Sequence, residues 1–220
     1  QESISIYGSY SQSFLPRSGD QFLTLSTTQQ NLEPEKFTNY ELGAKWLIEP
    51  ELFLSAAVFR LERTNSKGPS PVDPTVVELV GESRVEGFEL NLVGEVLPGW
   101  QTNIGYTYLD GEIRTATSSA PAGRRLEQLP RHQFTAWNHV ELTEQFGFGI
   151  GLIWQDEQFA SLSNAVTLPD FFRVDAALYY QIDDRIGLQV NVENLFDERY
   201  YPSAHGDNNI QPAKPFVARF

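Results

Sequence analysis

Hydrophobic and polar residues alternate along most of this chain. From Phe146 to Trp154, the residues Phe146, Phe148, Ile150, Leu152 and Trp154 are separated by Gly147, Gly149, Gly151 and Ile153. A period of two belongs to a strand, and three glycines in six residues would cost a helix far more than a one-sided strand. The same rhythm sets Ile186, Leu188, Val190 and Val192 against Gly187, Gln189, Asn191 and Glu193. It sets Trp100, Thr102, Ile104, Tyr106 and Tyr108 against Gln101, Asn103, Gly105 and Thr107, and Tyr40, Leu42, Ala44 and Trp46 against Asn39, Glu41, Gly43 and Lys45. Near the start, Ile4, Ile6 and Tyr10 oppose Ser3, Ser5, Ser9 and Ser11. Weaker alternation at 52–63, 82–97, 132–143, 171–182 and 215–220 brings the total to about ten strands. In 132–143 the pattern does not choose a face, because Phe134 and Trp137 fall on opposite sides.

The connections alternate in length. Glu49-Pro50-Glu51, Pro98-Gly99, Thr143-Glu144-Gln145 and Asp183-Asp184-Arg185 have the proline, glycine and acidic residues of tight turns. Between them lie longer polar stretches near 15–35, 64–80, 111–130, 157–170 and 197–213. Short and long connections in turn predict an all-β, antiparallel up-and-down meander over 1–220, as one domain, with tight turns on one rim and long loops on the other.

Strand length and side-chain placement then choose the environment. Strands of about ten to twelve residues exceed the ~5–6 common in globular sheets and match the ~9–11 a tilted strand needs to cross a bilayer. Trp46, Trp100 and Phe146 sit beside tight turns, and Tyr108 and Trp154 at the opposite strand ends, as aromatic girdles do. The apolar faces of the five clear strands carry no charge, while Glu41, Lys45 and Glu193 fall on the polar faces. A lipid-facing Lys or Arg at midplane would cost ~2–4 kcal/mol. These features predict a membrane barrel, although alternation alone is also met by a soluble β-sandwich.

Composition narrows the function. The 220 residues carry 16 Lys+Arg against 29 Asp+Glu, a formal net charge of −13, with no basic run. Nucleic-acid binding, which depends on clustered cations, is therefore not expected. Acidic residues such as Glu33, Glu35, Asp156, Glu157, Asp183 and Asp184 read as solvating charges of turns and loops. There is no cysteine, no methionine and no apolar run approaching ~18 residues. The opening QESISIYGSY has no charged-then-apolar leader, so the chain reads as a mature piece or an internal fragment. The three histidines, His132, His139 and His205, have neither H-x-x-x-H nor H-E-x-x-H spacing, so no metal site, no protein-held cofactor and no catalytic constellation is expected.

The stretch Asn191-Val192-Glu193-Asn194-Leu195-Phe196-Asp197-Glu198-Arg199-Tyr200-Tyr201 resembles the penultimate strand of TonB-dependent outer-membrane receptors, whose form is roughly N-x-x-N-L-F-D-x-x-Y. The following Pro202 to Pro212 resembles the loop before the last strand of ferric-siderophore members. Asn39-Tyr40-Glu41-Leu42-Gly43-Ala44-Lys45, then Phe59 to Asn65, then Leu129-Pro130-Arg131-His132 resemble other barrel segments in the family's order. The resemblance implies the carboxy-terminal portion of a 22-stranded barrel in the bacterial outer membrane, in contact with its lipid. It implies uptake of a ferric siderophore as transported ligand, with TonB engaged through an amino-terminal segment and plug that this sequence lacks. The last segment, Lys214 to Phe220, leaves about six residues after Pro215 where a spanning strand needs ~9–11.

Within that frame, Arg124 and Arg125 are candidates to hold an anionic ferric chelate through charge-assisted hydrogen bonds. Phe159, Tyr200, Tyr201 and His205 are candidates to stack on, or hydrogen-bond to, a planar catecholate or hydroxamate complex. The motif residues Asn191, Asn194, Leu195, Phe196 and Asp197 complete the set. A transporter fragment is the leading expectation. A complete small ten-stranded barrel enzyme, with His205 near Asp207 as its local candidate, and a soluble binding module remain as rivals.

Overall fold

The computed structural model describes residues 3–15, 33–69, 77–116 and 120–220. Among them there is no helix. Ten strands form one sheet: β1 (Ile4–Leu15), β2 (Glu35–Glu49), β3 (Leu52–Pro69), β4 (Val77–Leu97), β5 (Trp100–Ile113), β6 (His132–Glu141), β7 (Phe146–Gln155), β10 (Phe171–Asp183), β11 (Ile186–Glu193) and β14 (Val217–Arg219). They lie in chain order, each antiparallel to the next. Two hairpins stand apart from the sheet, β8 (Gln158–Phe159) with β9 (Thr167–Leu168) and β12 (Ser203–Ala204) with β13 (Ile210–Gln211). β1 and β14, at the two ends of the sheet order, do not pair with each other.

The register makes the alternation continuous across strands. One row of directly paired residues runs Ile6, Ala44, Ala56, Leu90, Tyr106, Phe134, Trp154, Phe172. The adjacent row runs Tyr7, Gly43, Ala57, Glu89, Thr107, Gln133, Gln155, Phe171. One face is thus apolar and outward, as a bilayer requires, and the other polar. Ile6, at 75%, and Leu42, at 58%, are far more exposed than a globular core would allow.

β6 settles the face that its sequence leaves open. Phe134 joins the apolar row, while Trp137 faces the polar side, paired with Asn103 and Gly151. The indole lies across Gly149 and Gly151, where a Cβ would fall 2.6 and 2.8 Å from ring carbons. The glycines of β7 therefore make room for a neighbouring tryptophan. Asn138 is a polar residue in mid-β6 on the apolar face, and its Oδ1 accepts from Trp100 Nε1 (3.0 Å) and Thr102 Oγ1 (2.9 Å).

Girdles mark both rims. Trp46, Trp100 and Phe146 are exposed on the tight-turn side. Toward the long loops, rings of four consecutive strands form a ladder: Phe88 against Tyr106 and Tyr108, His132 against both tyrosines, and Trp154 against His132. Tyr106 Oη and His132 Nδ1 share a hydrogen bond of 2.7 Å, which gives both polar atoms a partner.

Beyond that ladder the apolar face becomes charged, with Arg60–Glu86 (2.6 Å), Arg84–Glu112 (3.1 Å) and Arg114–Glu112 (2.6 Å). This explains the main departure from the sequence reading. The stretch 64–80, expected as a loop, is largely strand, since β3 runs to Pro69 and β4 begins at Val77. Outside the bilayer neither face needs to be apolar, so a strand leaves no period of two. Residues 70–76 of that stretch lie outside the described residues, as do 16–32 of the expected loop at 15–35. Glu35, expected as a solvating loop charge, instead opens β2, is buried and pairs with Arg63 at 2.7 Å. β6 stops at Glu141, because Thr143 turns the chain by accepting from the amides of Gln145 and Phe146. β14 is three residues long where 215–220 was expected.

Candidate functional site

The site is the cluster formed by three long connections on the girdle-and-charge rim, of which the described residues are 114–116 with 120–131, 156–170 and 194–216. Each is fastened to its neighbours by side chains placed in turns.

The first connection returns along β5, with the Ile113 amide donating to Arg124 O and the Leu126 amide to Gly111 O. Glu112 and Arg125 form an isolated antiparallel bridge. This brings Arg124 and Arg125 side by side, both half-buried. The Arg125 guanidinium lies over the Phe159 ring at 5.2 Å from its centroid, a cation–π distance. Arg124 Nη1 donates to Leu162 O at 3.2 Å.

The second connection carries the β8–β9 hairpin, whose turn Ser161-Leu162-Ser163-Asn164 is a hub. Asn164 takes φ 54°, a left-handed conformation that asparagine accepts more readily than most residues. Its Nδ2 donates to Arg125 O (3.1 Å). The Leu162 amide donates to Glu127 Oε2 (2.9 Å), and the Gln128 amide to Phe159 O (2.9 Å). Ser161 Oγ and Ser163 Oγ donate to the two carboxylate oxygens of Asp207, at 2.8 and 2.6 Å. Those two bonds hold the Asp207 carboxyl below the ordinary carboxylate range, Ser163 contributing most. Asp207 therefore faces the serines, while the His205 ring meets Gln211 Nε2 at 3.4 Å.

The third connection is built by the Asn194–Asp197 motif. Asn194, 2% exposed, and Asp197 both take φ 54°. Asn194 Oδ1 accepts from the Glu198 amide (2.8 Å), and its Nδ2 donates to Glu198 O (2.9 Å) and Lys214 O (3.2 Å). The Asn194 amide donates to Asp175 Oδ1 and the Leu195 amide to Val174 O. Asp197 Oδ1 accepts from the Phe216 amide at 2.9 Å. The motif thus turns the chain out of β11 and receives it again before β14. Phe196 is exposed, and Asn191 continues the polar face of β11, accepting from Gln189.

Tyr200 folds back onto the polar face. It is buried, stacks on Phe171 (4.2 Å between centroids, 26° between planes) and accepts from Arg173 Nη1 at 2.8 Å. Arg173 Nη2 donates to Asp175 at 2.6 Å, and its Nε is buried with no hydrogen-bond partner among the described residues. Arg173, Glu193, Asn194, Tyr200 and Lys214 line a pocket of about 370 Å³ under the loop. Glu193 pairs with Arg219 across β11 and β14. Tyr201 is exposed beside this pocket, and His205 is exposed on the β12–β13 hairpin.

The two small hairpins share a core of Ala160, Leu168 and Ala204, with Val166 against it. Gln158, 3% exposed, donates to Pro202 O at 2.9 Å. Arg124, Arg125 and Phe159 are therefore brought together; Tyr201 and His205 lie on the neighbouring connection, and Tyr200 is committed to packing. Gln158, the 161–164 turn and Asp207 as its partner were not singled out by sequence. The Ser-x-Ser-Asn run was the available signal, since such residues favour turns. Among the described residues, no group of three or more His, Cys, Asp or Glu is placed to hold a metal ion.

Comparison with known proteins agrees with this architecture. The sequence model of the family described as TonB dependent receptor-like, beta-barrel, matches residues 1–195. The chain is 33% identical to the probable TonB-dependent siderophore receptor PiuA of Acinetobacter baumannii, over 97% of this chain and 31% of that protein. It is 30% identical to the catecholate siderophore receptor Fiu of Escherichia coli K12, over 97% of this chain and 30% of the other. The crystal structure of PiuA superposes with a TM-score of 0.87 at 32% identity, covering 99% of this chain and 33% of that one. The closed form of Fiu gives 0.87 at 26% identity, covering 99% and 32%. The chain thus spans about a third of the length of the relatives it matches.

Proposed function

The chain belongs to the TonB-dependent receptor β-barrel family, and from that premise we propose that it is the carboxy-terminal wall of an outer-membrane receptor that takes up a ferric siderophore. The observation that carries this reading is the loop cluster on one rim of an open ten-stranded sheet. Every backbone N–H and C=O in lipid needs a partner, so the free edges of β1 and β14 call for further strands of a longer barrel. The polar face then becomes the lumen wall, and the loop cluster becomes part of an outer vestibule.

In that vestibule Arg124 and Arg125 supply positive charge, Phe159 backs the Arg125 guanidinium, and Tyr201 and His205 offer a ring and a hydrogen-bonding edge nearby. This chemistry suits an anionic, ring-bearing chelate that carries its own iron, so the protein supplies recognition rather than metal ligands or catalysis. TonB would act through an amino-terminal plug outside these residues. Asp207 bonded directly to two hydroxyls, with no histidine between, favours this reading over a rim hydrolase.

The test is uptake of radiolabelled ferric siderophores, catecholate and hydroxamate in parallel, by cells with and without the full-length gene, with and without TonB. Uptake of one class that requires both gene and TonB is expected. Equal uptake in all four backgrounds would overturn the proposal.

A further inference from the structure

We propose that Asp207 is a positioning residue for the Arg124–Arg125 pair, acting through the four-residue turn Ser161-Leu162-Ser163-Asn164. The inference rests on the reading of that pair as an anion contact. Asp207 lies on the β12–β13 connection and does not itself reach the arginines. Its two carboxylate oxygens each hold one serine of the turn, at 2.8 and 2.6 Å. The same turn fixes the arginines from its other side: Leu162 O receives Arg124 Nη1, and Asn164 Nδ2 holds Arg125 O.

A turn so short cannot shift at one end without moving the other. All four of its residues take part: Ser161 and Ser163 bond Asp207, and Leu162 and Asn164 bond the 124–125 segment. Charge makes the arrangement specific. A carboxylate accepts from both hydroxyls at once, and Ser161 Oγ also lies 3.0 Å from Ser163 Oγ, so the two serines and Asp207 form one small network. The guanidiniums thereby keep a fixed spacing, which matters because bidentate recognition of an anion depends on geometry as well as charge. Besides Asp207, the Gln158 bond to Pro202 O and the small apolar core of the two hairpins tie the second connection to the third among the described residues.

The test is a double-mutant cycle in the full-length receptor, read by binding of the ferric complex of 2,3-dihydroxybenzoate. Asp207→Ala is expected to weaken binding about tenfold, within the range of coupling between groups of one network. In an Arg124→Ala/Arg125→Ala background the same substitution is expected to change binding less than about twofold, because its effect passes through the missing pair. A purely structural role would give the same loss in both backgrounds, and that result would overturn the proposal.

Amide exchange gives a readout that needs no ligand. Asp207→Ala is expected to raise exchange at residues 124–128, in a different connection, while β5, β6 and β7 stay protected; unchanged exchange at 124–128 would overturn the proposal. If Asp207→Ala does not assemble, Ser161→Ala/Ser163→Ala removes the same bonds, and the same outcomes apply. Failure of the underlying reading looks different. An unaltered receptor that does not bind the chelate, or an arginine-pair variant that binds like the unaltered one, removes the anion contact and the proposal with it. An arginine pair that matters, with an Asp207 that does not, removes the proposal alone.

Discussion

Trp137 occupies the space that a side chain at Gly149 would need: a Cβ there would stand 2.6 Å from Cζ2 of the indole. The ring also covers Gly151 and lies on the polar face. Gly149→Val should therefore destabilise the barrel by about 1–3 kcal/mol, the usual cost of overpacking. Gly8→Val, where the nearest atom to the new Cβ is 4.0 Å away, should not. Trp137→Ala should relieve the first variant. Thermal unfolding in detergent measures all three, and equal losses at Gly8 and Gly149 would refute the packing argument.

The register gives a sharper contrast between faces. Leu152 lies on the apolar face between Ala136 and Val174, and Gln189 on the polar face opposite Tyr179. Leu152→Arg should cost about 2–4 kcal/mol in a bilayer, against little for Gln189→Arg. Assembly into lipid vesicles, followed by denaturant titration, reads the difference. Equal tolerance of the two would reverse the assignment of the faces.

The legible part of the fold was the part in lipid. There one solvent wets each face, so Phe148, Ile150 and Leu152 against Gly147, Gly149 and Gly151 write the strand directly. The outer ends of β3 and β4 could not be read this way. Arg60, Glu62, Arg84 and Glu86 stand in water on the face that is apolar lower down, and the ladder continues without an apolar stripe to announce it. The site divides similarly. Arg124 and Arg125 stand out as a charged pair, and Asn194 through Asp197 as a motif. Asp207 meets Ser163 across 44 residues, a pairing fixed only once both hairpins are folded against each other. Tyr200 closes the N-x-x-N-L-F-D-x-x-Y motif and Tyr201 does not, but the motif alone does not say that Tyr200 is buried against Phe171 while its neighbour is exposed.

Asn194 should be the most sensitive residue of the motif. It is 2% exposed, takes a left-handed φ, and its side chain makes three hydrogen bonds that close the connection from β11 to β14. Asn194→Ala leaves the Glu198 amide and two carbonyls unpaired; each unsatisfied buried group costs about 1–3 kcal/mol. The left-handed backbone adds about 1–2 kcal/mol for alanine. Leu195→Ala, at an exposed position, should cost far less. Amide exchange at Val217 to Arg219 is the measurement: it should rise sharply for the first variant and stay near the unaltered level for the second. Similar exchange in both would show that the motif does not hold the last strand.

Acid should open the loop cluster through Asp207. Hydrogen bonds from Ser163 and Ser161 favour its charged form and keep its folded pKa below the free carboxylate value of about 3.9. A depressed folded pKa means that the carboxylate's contribution to docking is complete above that free value and is lost as pH falls through the folded one. Lowering the pH from about 6 to about 3 should therefore reduce amide protection in residues 158–168, corrected for intrinsic exchange rates. In Asp207→Asn the protection of 158–168 should be lower at pH 6 and nearly independent of pH. An unaltered protein whose β8–β9 hairpin is equally protected at both pH values would show that ionised Asp207 is not what docks it.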